Sequence, residues 1–203
     1  MSYNMVKHQA QRVAVLVDAQ NMYHSAKHLH NARLNFGKAV EYAVAGRPLV
    51  RAIAYVAKSK TGEESAFFEA LVEAKIEPKI KDVQEFTSGV KKADWDVGMA
   101  IDAVMLAEKV DVIILMTGDG DFVPLIKYLH GRGVMVEVAA FEESTNAQLM
   151  EETDSFINLS STAEFLLKAG RHLMPEDKKN QNKKSGRREH ALEPDKKKIR
   201  VTY

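Results

Sequence analysis

The sequence predicts an α/β domain with a mainly parallel sheet covered by helices on both faces, and two observations lead there. Five short runs of apolar, β-branched residues recur between positions 12 and 139, and the segments between them repeat apolar residues at helical spacing. Several runs are nearly continuous Val, Ile and Leu rather than alternating, as expected of strands buried on both faces. Strands that alternate with helices build parallel sheets.

The runs fall at 12–17, 50–56, 78–83, 111–116 and 134–139. Ahead of the third, residues 65–75 put Phe67, Phe68, Leu71 and Val72 on one side of a helix, opened by a Lys60-Thr61-Gly62 loop. Residues 97–107 repeat apolar positions in the same way. Gly131 and Gly133 end a helix that starts near Phe122, and a last short helix is expected over 162–167. Beyond it hydrophobic density collapses. The polar stretch 175–188 buries too little apolar area to offset its ordering entropy. The expected organisation is an N-terminal segment (1–11), one domain (12–170) and a basic, flexible tail (171–203).

With 203 residues and 45% hydrophobic content the chain is long enough for one well-buried core. It has no cysteine, which excludes disulfides, thiolate zinc sites and a cysteine nucleophile and suits a reducing compartment; cytoplasm is the expectation. No signal core or membrane span is legible. The net charge of +1 divides unevenly: residues 171–203 hold eleven Lys/Arg against five Asp/Glu, a net of +6, and leave −5 on residues 1–170. Such a tail is either a solvated terminus or a track for nucleic-acid phosphates. Homo-oligomerisation stays open.

The chemistry concentrates in acidic turns. The first run ends in Val17-Asp18-Ala19-Gln20-Asn21, and the fourth in Met116-Thr117-Gly118-Asp119-Gly120-Asp121-Phe122. In a parallel sheet the carboxyl ends of the strands share one face, where ligands bind near the switch in strand order. Asp96, in the first turn of the expected helix, reaches the same rim. Carboxylates gathered on one rim repel each other unless a cation sits among them, and hard oxygen donors favour Mg²⁺ or Mn²⁺. Asp18, Asp96, Asp119 and Asp121 are the candidate ligands. Asp102 is secondary, because six residues carry it about a third of a turn away from Asp96; its other reading is an acid paired to a lysine. Such a metal can polarise a phosphodiester and activate water, as in metal-dependent nucleases. Asn21 is a candidate to hold a water or a phosphate oxygen. Thr117, Lys91 and Lys92 are candidates around the substrate.

These motifs resemble a known family. Val-Asp-x-x-Asn at 17–21, Asp96 with Asp102 on one helix, and Thr-Gly-Asp-Gly-Asp-Phe at 117–122 look like the NYN domain, LabA-like branch, of the PIN-like nuclease superfamily, over roughly residues 10–160. The resemblance implies a three-layer α/β/α fold and metal-dependent ribonuclease chemistry. It implies a catalytic set of Asp18, Asn21, Asp96, Asp119 and Asp121, with Ser144-Thr145-Asn146 lining the cleft. Relatives often carry a lysine three residues before the helix aspartate; here that position is Ala93, with Lys91 and Lys92 displaced.

Blander readings stand beside these. Asp18 is also a natural turn cap, Asp121 a natural N-cap ahead of Phe122-Val123-Pro124, and Asp94 a cap for the helix of Asp96. Trp95 either stacks on a base or packs into the domain. His24 and His28 have helical i, i+4 spacing, but Ser25 stands where a zinc protease needs Glu. No phosphate-binding glycine loop follows the first strand, and the ligand pattern of an EF-hand stops at Val123. Gln20 stands where an aspartyl phosphatase wants a second Asp. A metal-dependent ribonuclease acting on RNA is the leading expectation. A non-catalytic RNA-binding or regulatory module is the second, and a metal-dependent phosphatase the third.

Overall fold

The computed structural model describes residues 7–58, 65–82, 84–85, 91–92 and 94–168. In chain order the elements are β1 (Val13–Asp18), α1 (Ala19–His30), β2 (Ala32–Leu34), α2 (Phe36–Val44), β3 (Leu49–Lys58), α3 (Ser65–Glu73) and β4 (Glu77–Asp82). There follow β5 (Gln84–Glu85), β6 (Lys91–Lys92), α4 (Asp96–Leu106), β7 (Val112–Met116), α5 (Val123–Gly131), β8 (Met135–Ala140), α6 (Ala147–Glu152), β9 (Ser155–Asn158) and β10 (Leu166–Lys168). Residues 171–203, read above as the tail, and the Lys60-Thr61-Gly62 loop lie outside the described residues.

The central sheet has six strands in the order β4-β3-β1-β7-β8-β9, every pairing parallel. The chain steps outward from β1 to β3 and β4, then returns to β7 and steps the other way. The usual right-handed crossovers therefore put α1–α3 on one face and α4–α6 on the other. Consistently, α2 packs on α3 and α5 on α6. This is the three-layer α/β/α arrangement the sequence predicts. Residues Val13 to Val17 and Val112 to Met116 have no solvent exposure, which accounts for their unbroken apolar composition.

Local chemistry sets the helix starts. Asp18 caps α1 by accepting from the Asn21 amide (3.0 Å), and Asn35 caps α2 by accepting from the Lys38 amide (3.1 Å). Asp94 accepts from the amide of Asp96 (2.9 Å), the capping role expected of it.

Two features depart from expectation. The sixth strand, β9, is only Ser-Phe-Ile-Asn and offers no apolar run; its place at the sheet edge is set by pairing with β8. The helix expected over 162–167 is instead one 3-10 turn, Ala163–Phe165, leading into β10, which pairs antiparallel with β2. Thr162 caps that turn through the Glu164 amide. Phe165 is then buried against Tyr42 (ring centroids 5.0 Å apart), and Leu166 extends to meet Leu34. Tertiary pairing overrides an apolar pattern too short to hold a helix.

One ionic cluster lies inside the apolar body. Arg47 donates to Glu137 through both terminal nitrogens (2.7 and 2.9 Å), to the Ala43 carbonyl (2.9 Å) and to the Val44 carbonyl (2.9 Å). Lys7 adds a third cationic contact to Glu137 at 3.1 Å. Arg47 thus caps the C-terminus of α2 and pins it to β8. No helix among the described residues is long and apolar enough to cross a membrane.

Breaking a buried pair by removing one partner leaves a stranded charge and costs about 3–5 kcal/mol, whereas replacing both by apolar groups is far milder. Glu137→Ala is expected to lose that much in urea denaturation, and Arg47→Met/Glu137→Leu to recover most of it.

Candidate metal centre

The strand order reverses between β1 and β7, so the switch point of the sheet lies where Asp18 ends one strand and Thr117 follows the other. The two acidic turns meet there. Asp96, Asp119 and Asp121 each bring a carboxylate oxygen to within 4.8 Å of the others, and no further group of this kind occurs among the described residues. Asp96 arrives on the first residue of α4, while Asp119 and Asp121 come from the loop after β7 and the 3-10 turn Gly120–Phe122.

The helix start near Phe122 differs in detail from expectation. Asp119, not Asp121, caps the turn by accepting from the amide of Asp121 (3.0 Å). Asp121 sits inside the turn with its side chain exposed. The physical reason is the 3-10 turn that precedes α5, which moves the side-chain cap two residues upstream of Asp121.

Asp18 stands beside this trio rather than within it. Burial raises its carboxyl above the ordinary range; the Asn21 amide opposes the shift, and the charge of Asp119 adds to it. Asp96 is pushed up to about 6, chiefly by burial, then by its hydrogen bond and repulsion with Asp94, and then by Asp119 and Asp18. Without a cation the centre is strained by like charge. Three carboxylates with no nitrogen or sulfur donor form a hard-oxygen set, which suits Mg²⁺ or Mn²⁺.

The remaining expected residues fall into place around this centre. The side-chain oxygen of Asn21 accepts from the Gly118 amide (2.9 Å), so Asn21 holds the acidic loop against α1. Thr117 is fully buried; its hydroxyl accepts from the Asp119 amide (3.2 Å) and hydrogen-bonds Asp18, so it orients the loop instead of facing substrate. Ser144 donates to Ser25 (2.9 Å), and its carbonyl packs against Gly118. Lys91 and Lys92 form β6, and their side chains lie outside the described residues.

Asp102 takes the lysine-paired reading rather than the ligand one. It accepts from the Tyr55 hydroxyl (2.6 Å) and from Lys79 (2.6 and 2.9 Å), contacts that turn it away from the trio. Burial and the charge of Asp102 raise the Tyr55 hydroxyl far above the ordinary range, so it remains a donor. Trp95 packs into the domain: its indole donates to the Val56 carbonyl (3.1 Å) and meets Tyr55 edge-on, with Lys81 over the ring at 5.6 Å. Sequence reasoning missed Tyr55 and Lys79. Each looks like an ordinary strand residue until β3 and β4 pair and set them side by side.

Two glycines allow the loops to close. A Cβ on Gly118 would lie 2.9 Å from the Ser144 carbonyl oxygen, and one on Gly120 2.6 Å from the Asn146 side chain. Asn146 in turn donates its amide to the Gly118 carbonyl (2.9 Å) and caps α6. The 144–146 segment after β8 is therefore part of the site's wall.

A parallel three-layer sandwich with an acidic cluster at its switch point defines the class: an α/β domain of PIN-like architecture. The NYN domain profile matches residues 12–160, and the chain belongs to that family. Low amplitude and bright protein LabA of Synechococcus elongatus is 27% identical over 169 residues, covering 79% of this chain and 90% of that protein. The crystal structure of a Vibrio parahaemolyticus protein of unknown function superposes with a TM-score of 0.72 at 29% identity, covering 80% of this chain and all of that one. The resemblance read from the motifs is borne out at the level of family and fold.

Two predictions follow the geometry. Asp96 titrates from an unfolded value of 3.8 to a native value of about 6. Its protonated form is therefore the one the native state favours, and the stability it lends is full below pH 4 and lost as the pH rises through 6. Asp96→Asn should raise the melting temperature of the metal-free protein by a few degrees at pH 7.5 and change it little below pH 4. Mg²⁺ should stabilise the wild type more at pH 7.5 than at pH 5, and the variant hardly at all. Equal melting of the two proteins at both pH values would contradict the strained centre. Gly118→Ala forces backbone apart and should weaken Mn²⁺ binding roughly 10–100-fold by calorimetry, whereas Gly131→Ala, with nothing within 4 Å, should leave it unchanged.

Proposed function

We propose that this protein is a divalent-metal-dependent ribonuclease, with Mg²⁺ or Mn²⁺ held by Asp96, Asp119 and Asp121 and with Asp18 completing the acidic rim. The observation that carries the reading is the convergence of three carboxylates within 4.8 Å at the switch point of a NYN-family sheet. NYN domains are associated with RNA, which supports RNA over other phosphate esters as the substrate. The bound metal would supply Lewis-acid polarisation of the phosphodiester and a more acidic water.

The chain's own residues do the rest. Asp119 is fixed by Thr117 and by capping the Asp121 amide, which also fixes the backbone of Asp121, so this side of the centre needs little reorganisation at the moment of reaction. Asn21 positions the loop through Gly118. Ser144, exposed in the wall next to Gly118 with its hydroxyl on Ser25, is the candidate contact for a substrate phosphate. The basic segment 171–203, with its net +6, supports recruitment of the polyanion and implies salt-sensitive affinity. The absence of cysteine suits a cytoplasmic setting.

The purified chain should cleave single-stranded RNA with Mg²⁺ or Mn²⁺ and not with EDTA. Asp119→Asn should lose more than the roughly 10–100-fold that follows loss of an outer partner of a metal ligand. RNA and metal binding with no cleavage under any metal would instead assign a non-catalytic RNA-binding module. Turnover of an aryl phosphate without RNA cleavage would assign a phosphatase.

A further inference from the structure

We infer that Trp95 is a positioning residue for the metal centre: its indole, keyed between β3 and Gly98, fixes the start of α4 and with it the Asp96 carboxylate. That role presupposes the metal centre proposed above. Trp95 immediately precedes Asp96 and stands at the N-cap of α4, a place that ordinarily goes to Ser, Thr, Asp or Asn. Its side chain caps no amide; Asp94 supplies the bond to the Asp96 amide (2.9 Å). A large ring at this position therefore serves something other than capping.

The ring is held on three sides. β1 pairs with β3 only as far as Tyr55, and on the next residue the Val56 carbonyl accepts from the Trp95 indole (3.1 Å). Tyr55 meets the ring edge-on, with centroids 5.5 Å apart. The Lys81 ammonium, on β4, lies 5.6 Å from the ring and also donates to the Asp94 carbonyl (3.1 Å). The third side is Gly98. A Cβ there would stand 2.8 Å from Cε3 and 3.2 Å from Cζ3 of the indole. Gly98 has no positive φ, so its backbone does not call for glycine, and in a helix glycine is less favourable than alanine. Its missing side chain is the seat of the ring. Ordinary contact begins at 3.4 Å, so a methyl group at 2.8 Å would drive ring and helix apart by about 0.6 Å. Ligand constellations tolerate displacements of roughly 0.5 Å. The ring cannot yield freely, because its nitrogen is bonded to the strand. The first turn of α4, which brings Asp96 to Asp119 and Asp121, has to give instead.

Trp95 is the only tryptophan of the chain, so its emission reads the site directly. In the full chain, Mg²⁺ should change that emission with the midpoint found by calorimetry, and Asp119→Asn should abolish the response. Trp95→Phe, which loses the bond to Val56, should weaken Mn²⁺ binding roughly 10–100-fold, the effect of losing an outer support of a metal ligand, with circular dichroism confirming the fold. Gly98→Ala should weaken it as much, although alanine favours the helix. In the Trp95→Phe background Gly98→Ala should cost little more, because the smaller ring leaves room for the methyl group. Mn²⁺ affinity unchanged in both single variants, or additive losses in the double variant, would overturn the positioning role alone. A wild type that binds no Mn²⁺ would overturn the metal centre together with it. RNA affinity lost in Trp95→Phe while Mn²⁺ affinity stays intact would overturn it in favour of base stacking. Should Trp95→Phe fail to fold, Gly98→Ala decides, and Mn²⁺ affinity equal to that of the wild type would overturn the role.

Discussion

The peptide groups of Gly118 join three strand ends, and the site depends on that junction. The Gly118 amide donates to Asn21 at the start of α1, and its carbonyl accepts from Asn146 ahead of α6. Its missing side chain leaves room for the Ser144 carbonyl. The loop after β7 is thus clamped between the segments that follow β1 and β8. Thr117 closes the arrangement from below, because its buried hydroxyl accepts from Asp119 while also bonding Asp18. A loop held by so many backbone contacts keeps its carboxylates in place although they repel.

That repulsion is the second organising force. Asp18 and Asp96 are both shifted upward by burial and by neighbouring acids, so the centre opposes the stability of the surrounding fold. Helix termini relieve part of the strain. Asp18 caps α1, Asp96 begins α4 and Asp121 lies in the turn leading to α5, each where unsatisfied amides favour negative charge. Capping and cation binding are compatible uses of the same residues here, because a carboxylate has two oxygens and a cap occupies one.

Charge elsewhere in the domain is handled by pairing. Arg47 and Glu137 tie α2 to β8 on one side of the sheet, and Asp102 ties α4 to β3 and β4 through Tyr55 and Lys79. These contacts hold helices at fixed heights over the strands. The second of them sets the position of α4, and hence of Asp96 at its first residue.

The fold class was legible in the sequence because the central strands β1 and β7, buried on both faces, need continuous Val, Ile and Leu, and a composition of that kind survives any uncertainty about element ends. The acidic turns after β1 and β7 were legible for a related reason: strand-end loops are the least constrained by packing, so aspartates gathered there stand out. Tertiary structure alone decided how those residues divide their roles. Asp96, Asp119 and Asp121 converge, Asp18 and Thr117 support them from beneath, and Asp102 turns to Lys79 because β3 and β4 set Tyr55 and Lys79 in register. β9 and β10 also escaped sequence reading, since strands of four and three residues take their conformation from the partners they pair with rather than from their own side chains.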